Sequence, residues 1–119
     1  MEEKRTYDLE ERTLQFALHV RHWILRLPKT IPVIEDGRQV VRSSGSIGAN
    51  YIEANQALSQ KDRCLRVRIS RKEARETVYW LKLLRMDEGG NLEQERCRLI
   101  QEANELSMIL SSILKKIDT

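Results

Sequence analysis

The sequence predicts an all-α protein in which four amphipathic helices fold back on one another as an antiparallel up-down-up-down four-helix bundle. Three observations predict it. Apolar residues recur at alternating three- and four-residue spacing through nearly the whole chain. Glycine and proline are scarce, five and two in 119 residues, and the strong turn signals fall where that spacing breaks. Charged residues make up 33% and apolar residues 40%, a mixture that suits helices with ion-paired outer faces and fits neither disorder nor a β-sandwich. At this length one domain with one core is expected, spanning residues 1–119.

Helix 1 is predicted over residues 8–27, beginning after Asp8 as N-cap and ending at Pro28. Its core stripe is Leu9, Thr13, Phe16, Val20, Trp23 and Leu27. Lys29 to Gly37 contains Pro32 and Asp36-Gly37, turn chemistry that reads as a connector with a helical start near Ile31 or Pro32. Helix 2, over 32–58, carries two adjacent seams. One is Val40, Ser44, Ile47, Tyr51, Ala54 and Leu58; the other is Val41, Gly45, Gly48, Ile52 and Asn55. The run Ser43-Ser44-Gly45-Ser46-Ile47-Gly48 has loop propensity, because Gly costs about 1 kcal/mol relative to Ala inside a helix. Both seams pass through it in phase, so it reads as helix. Helix 3, over 60–86, starts from Ser59 as N-cap with Asp62 at the third helical position. Its seam is Val67, Ser70, Ala74, Thr77, Leu81 and Leu84, and it stops before Asp87-Glu88-Gly89-Gly90. Helix 4, over 92–117, follows Asn91 and carries Leu99, Ala103, Leu106, Leu110, Ile113 and Ile117.

Short connections between long helices make neighbours antiparallel. Folding helices 2 and 3 back at Ser59 sets Gly45 opposite Ala74 and Gly48 opposite Ser70 or Arg71. Small residues would then meet at mid-bundle, at the close end of the usual range of interaxial distances. The same register pairs Arg42 with Glu76 and Glu53 with Arg66. The second seam of helix 2, with the aromatics Tyr51, Tyr79 and Trp80, offers more apolar surface than one stripe can bury and points to self-association. One of Tyr79 and Trp80 is expected in the core and the other outside.

Several function classes are set aside. Apolar runs reach only three or four residues, far short of a membrane span, and Met1-Glu2-Glu3-Lys4 is no signal peptide. A cytoplasmic protein with no membrane partner is expected. Cys64 and Cys97 lack a C-x-x-C partner and are expected to remain thiols. His19 and His22 have a spacing that can serve a metal, yet no Glu-x-x-His accompanies them, so they read as ordinary surface or boundary histidines. Glu73-x-x-Glu76 reads as a salt-bridging pair for Arg42 and Arg66 sooner than as a general acid pair. No phosphate loop or Gly-x-Ser-x-Gly is present, and Gly45-x-x-Gly48 reads as close helix packing before a nucleotide clamp. Neither enzyme activity, nor a cofactor, nor a metal site is expected.

Charge is the informative feature. The chain carries a net +3, but residues 59–86 hold nine basic groups against three acidic ones. Arg63, Arg66, Arg71 and Arg75, with Lys82 beyond them, could meet backbone phosphates along most of helix 3. Alternatively Glu10, Glu11, Glu102 and Glu105 of helices 1 and 4 neutralise them. The residues alone leave both readings open.

Two segments carry a family resemblance: Arg42-x-x-x-Ser46-Ile47-Gly48-Ala49-Asn50-Tyr51-Ile52-Glu53-Ala54, and Ser59-x-Lys61-Asp62 followed by Lys72-Glu73-Ala74-x-Glu76-Thr77-x-Tyr79-Trp80-Leu81. Together they resemble the bacterial four-helix bundle proteins encoded in intervening sequences of 23S ribosomal RNA genes, over about residues 6–117. The resemblance implies a cyclic homopentamer and a distant kinship with the accessory variability determinant of diversity-generating retroelements, a basic pentameric barrel associated with nucleic acid and reverse transcriptase. Beside such a barrel a net +3 is modest. By the same resemblance Arg42, Asn50, Glu53, Glu73, Glu76 and Trp80 belong to a polar motif that holds the helices together. A nucleic-acid role would fall on Arg63, Arg66, Arg68, Arg71, Lys72 and Arg75. Two functions from different classes are therefore expected: an oligomer that binds RNA or DNA, or an oligomeric scaffold that binds another protein.

Overall fold

The computed structural model describes the backbone over residues 2–86 and 90–118 and the side chains over 8–86 and 90–117. Four helices account for it: α1 (Glu2–Leu25), α2 (Ile31–Asn55), α3 (Gln60–Leu83) and α4 (Gly90–Asp118). No strand occurs among the described residues. The helices pack in the cyclic order α1, α2, α3, α4, with α2 against α3 the most extensive pairing and α1 against α4 the least.

Local chemistry explains most boundaries. Asp8 is not a cap, because α1 continues back through helix-forming residues to Glu2. Thr30 caps α2, its hydroxyl accepting from Val33 N at 3.4 Å, and Pro32 sits in the first turn where its missing N–H costs nothing. Asp36-Gly37 is consequently helix rather than connector, and Gly37 is buried with Ile24 beside it. Ser59 caps α3 as expected, accepting from Asp62 N at 3.1 Å. α2 ends at Asn55, which leaves Leu58 in the turn and fully exposed, not in the core seam. The serine-rich stretch is helical, and Ser44 and Ser46 satisfy their hydroxyls within it by turning them back onto the carbonyls of Val41 and Arg42. The α3–α4 connection, Asp87 to Gly89, lies outside the described residues, and Gly90 takes a left-handed φ of 79° where α4 begins.

The core is a column of fully buried side chains led by Trp23, Phe16, Ile47, Leu81, Leu106 and Leu110. Threaded through it is a polar relay between α2 and α3. Thr77 Oγ1 donates to Glu73 O at 2.7 Å, so the 2.8 Å contact between Ser43 Oγ and Thr77 Oγ1 must have serine as donor. A turn away, Ser70 Oγ donates to Ile47 O at 2.7 Å. Residues 43 and 77, 47 and 70, and 50 and 66 thus face one another, an antiparallel register within about three residues of the expected one.

The glycines of α2 do not face α3. A Cβ on Gly48 would lie 2.7 Å from Thr13 Oγ1 and 3.1 Å from Thr13 Cβ, and one on Gly45 would lie 3.2 Å from Arg21 Nη2, so both belong to the α1 contact. Asn55 extends the same line by donating to Glu10 Oε2 at 2.9 Å. The second seam of α2 is therefore largely spent inside the bundle, since a helix in a four-membered ring has two neighbours to meet. Tyr51 is buried as well, so of the aromatics named above only Tyr79 is exposed.

A clasp joins the ends of α3 and α4. Arg96, itself buried, donates to Leu81 O at 3.1 Å and to both oxygens of Glu93 at 2.9 and 2.5 Å, while Glu93 accepts from Met86 N. The bond from Arg96, opposed by partial burial and helped by the Met86 amide, holds the Glu93 carboxyl down at about 2.

Two outcomes follow. Replacing Gly48 by Ala lowers stability in urea titrations, because overpacking of about 1–3 kcal/mol against the fixed Thr13 exceeds the helix-propensity gain of about 1 kcal/mol. Gly45→Ala meets only the movable end of Arg21 and is neutral or mildly stabilising; equal effects of the two changes would contradict this packing. Because the folded Glu93 value lies below its ordinary 4.5, its contribution is complete above that pH and fades as pH falls toward 2. The stability difference between wild type and Glu93→Gln should narrow over that window, and a difference independent of pH would count against the clasp.

Candidate functional site

Helix α3 turns Val67, Ser70, Ala74, Thr77 and Leu81 inward, which sends the residues half a turn away outward. Arg68, Lys72, Arg75 and Tyr79 follow one another at four, three and four residues along that outer face and are all exposed. With Arg71, Glu76 and Trp80 they line a shallow furrow of about 330 Å³. Arg71 and Arg75 flank it toward α4, donating at 3.3 Å to the hydroxyls of Ser111 and Ser107. These neutral acceptors orient the guanidinium groups without cancelling their charge.

Four of the six basic residues singled out in the sequence therefore share one site. The other two do not join it. Arg66 turns to α2 and donates to Asn50 Oδ1 at 3.3 Å, so the expected Glu53–Arg66 ion pair is absent and Glu53 is exposed. The reason is rotational: Asn50, half-buried and anchored to Ser46 O, reaches the arginine first. Arg63 lies at the end of the bundle, in a wider groove between α1 and α4 near Leu9, Leu58 and Ile113.

The acidic residues are committed elsewhere. Glu102 accepts two 2.7 Å bonds from Arg12, with Glu105 at 3.5 Å from the same guanidinium, and Glu95 pairs with Arg26. Glu10 is held by Asn55. Arg42 approaches both acids of α3, Glu73 at 3.7 Å and Glu76 at 3.8 Å, and so realises the expected Arg42–Glu76 pair while adding a second. Glu73 is only 7% exposed, and its Oε1 has no hydrogen-bond partner among the described residues.

Two aromatic rings close the furrow. Tyr79 is 58% exposed and meets Trp80 edge to face, with centroids 5.2 Å apart at 74°. Trp80 is half-buried, with an indole N–H that finds no acceptor among the described residues. The sequence reading assigned Tyr79 no part in the basic site, although its position eleven residues after Arg68 on the Arg68–Lys72–Arg75 stripe marks it as a member. His19 and His22 are both exposed, and no group of three or more metal-ligating side chains forms among the described residues. Cys64 is a buried thiol and Cys97 an exposed one.

Fold and site together define a small four-helix protein with a cationic, aromatic-tipped outer face. The 23S rRNA-intervening sequence protein family matches residues 5–112, and the chain belongs to that family. It is similar to a solved protein of unknown function from the S23 ribosomal protein family of Bacteroides thetaiotaomicron, with 32% identity and a TM-score of 0.78 over 92% of this chain and 97% of that one. No protein with a curated description matches the chain.

The Arg42–Glu73 contact is open to test. Arg42 is half-exposed, so the pair is expected to couple by about 0.5–1 kcal/mol in a double-mutant cycle of Arg42→Met and Glu73→Gln. The single change at Arg42 should destabilise more than the double change, since it alone leaves a buried carboxylate without its cation. Additive effects would show that the two groups act independently.

Proposed function

We propose that this protein is a non-catalytic helical module that binds RNA or DNA through the outer face of α3 and works in the cytoplasm as an assembly of identical subunits. The observation that carries this reading is the partition of charge. Of the carboxylates that might have neutralised α3, Glu102 and Glu105 are engaged by Arg12, Glu95 by Arg26 and Glu10 by Asn55, and Glu11 is exposed and accepts from Gln15 of its own helix, while Arg71 and Arg75 rest on serine hydroxyls. Among the cations lining the furrow, Arg71 and Arg75 meet neutral acceptors and Lys72 is exposed, and its one lining carboxylate, Glu76, is offset by Arg42. Regularly spaced cations on a rigid helix suit a polymer of phosphates, whose released counterions drive association.

Self-association draws on a separate surface. Leu14, Leu18 and Leu25 form an exposed stripe on α1, and Ile34 and Ile52 another on α2. Arg21, at the same spacing on α1, reaches Val41 O beside Gly45, so the exposed apolar residues of the two helices flank a shared cation on one outer face. Such a face is typical of a subunit contact, and a cyclic homopentamer would repeat the α3 furrow around the ring. The same face favours the second reading, a scaffold that engages another protein.

Fluorescence anisotropy against RNA and DNA at several salt concentrations tests the first reading. Affinity should fall linearly in a log–log plot against salt, and Lys72→Ala and Arg75→Ala should each weaken binding and lower the slope by about one. Absence of binding at low salt sinks the nucleic-acid reading. Light scattering tests the assembly: a monomer at all concentrations would contradict it, and Leu18→Glu should dissociate an oligomer.

A further inference from the structure

The cationic stripe of α3 does not end in another cation. Arg68, Lys72 and Arg75 climb the outer face and are followed, at the same helical spacing, by an aromatic ring. From residue 68 to residue 79 the helix rises about 16 Å, enough for a short run of nucleotides. Tyr79 is more than half exposed at the end of the furrow and packs edge to face against Trp80, a contact that can cover at most one face of the ring and leaves another for a ligand. A duplex offers no unstacked base to such a ring, whereas a single strand presents bases one after another beside its phosphates.

We infer that the ligand of this furrow is single-stranded nucleic acid, held by its phosphates on Arg68, Lys72 and Arg75 and by one base stacked on Tyr79. This rests on the polyanion reading above and adds to it a base-recognising platform. Trp80 sets the platform's angle: the 74° contact fixes Tyr79 from behind and lowers the entropic cost of ordering the ring when a base arrives. Arg71 and Arg75, braced on Ser111 and Ser107, keep the phosphate track in place. Stacking tolerates any base, so affinity should depend on strandedness more than on sequence.

The full-length protein is titrated with an unstructured oligonucleotide of about ten nucleotides, the matching duplex, and inorganic polyphosphate. The single strand should bind more tightly than the duplex, and Tyr79→Ala should weaken it by about five- to 150-fold while Tyr79→Phe preserves it. Polyphosphate, which has no base to stack, should bind wild type and Tyr79→Ala alike. Binding of the strand should also quench tryptophan emission from Trp80, because Trp23 is fully buried with its N–H on Leu92 O. Equal affinity for single strand and duplex, with Tyr79→Ala indistinguishable from wild type, overturns the stacking inference and leaves the polyanion reading standing. Loss of polyphosphate binding in Tyr79→Ala, or dissociation of an oligomer with binding per subunit unchanged, also overturns it, by giving the ring a different task. Failure of all three ligands to bind at low salt overturns both.

Discussion

Ser43, Thr77 and Ser70 place three hydroxyls in a region from which water is excluded, and each finds a partner across or along the α2–α3 contact. A buried hydroxyl left without a partner costs about 1–3 kcal/mol, so sliding or rotating α3 against α2 would forfeit more than packing alone. Apolar side chains tolerate small shifts of register; this relay does not. The rotation of α3 is therefore fixed, and with it the direction in which each arginine points.

The charge pattern follows from that rotation. With Thr77 and Ser70 inward, Glu73 and Glu76 fall beside α2 within reach of Arg42, Arg71 and Arg75 fall beside α4, and Arg68 and Lys72 face solvent. On the opposite side of the bundle Arg12 and Arg26 of α1 take up carboxylates of α4. Within the chain's net +3, several acids are thus tied across helices while the outer face of α3 carries a run of exposed cations. Glu73 marks the tension in this arrangement, a nearly buried carboxylate with one oxygen unbonded and its cation at a long 3.7 Å.

Helices, their order and their mutual direction were legible in the sequence because apolar periodicity runs through long segments and caps such as Ser59 have a specific chemistry. Leu58 was misplaced because periodicity continues past the point where the α2 backbone ends, and nothing in an i, i+4 pattern marks that stop. The glycines were assigned to the wrong neighbour for a related reason. A seam shows that a face is buried without naming the helix that covers it, and Gly48 fits Thr13 of α1 as well as any residue of α3. The basic cluster was visible as composition, but whether Glu102 would reach it or Arg12 was a question of three-dimensional reach. Tyr79 was overlooked in the site because the aromatics were read as a surface for self-association, with the sequence leaving open which of Tyr79 and Trp80 lies outside, and the rotation fixed by Thr77 turns Tyr79 outward.

The central claim is that the internal register of α2 and α3 presents the outer face of α3 as the binding surface. Nuclear magnetic resonance of isotopically labelled protein during titration with a single-stranded oligonucleotide addresses it most directly. The account predicts that the perturbed signals belong to the α3 backbone from Arg68 to Trp80 and to the side-chain Nε–H groups of Arg71 and Arg75, with the amides of α1 unmoved. Perturbations centred on α1, or on the groove around Arg63 and Leu58, would contradict it.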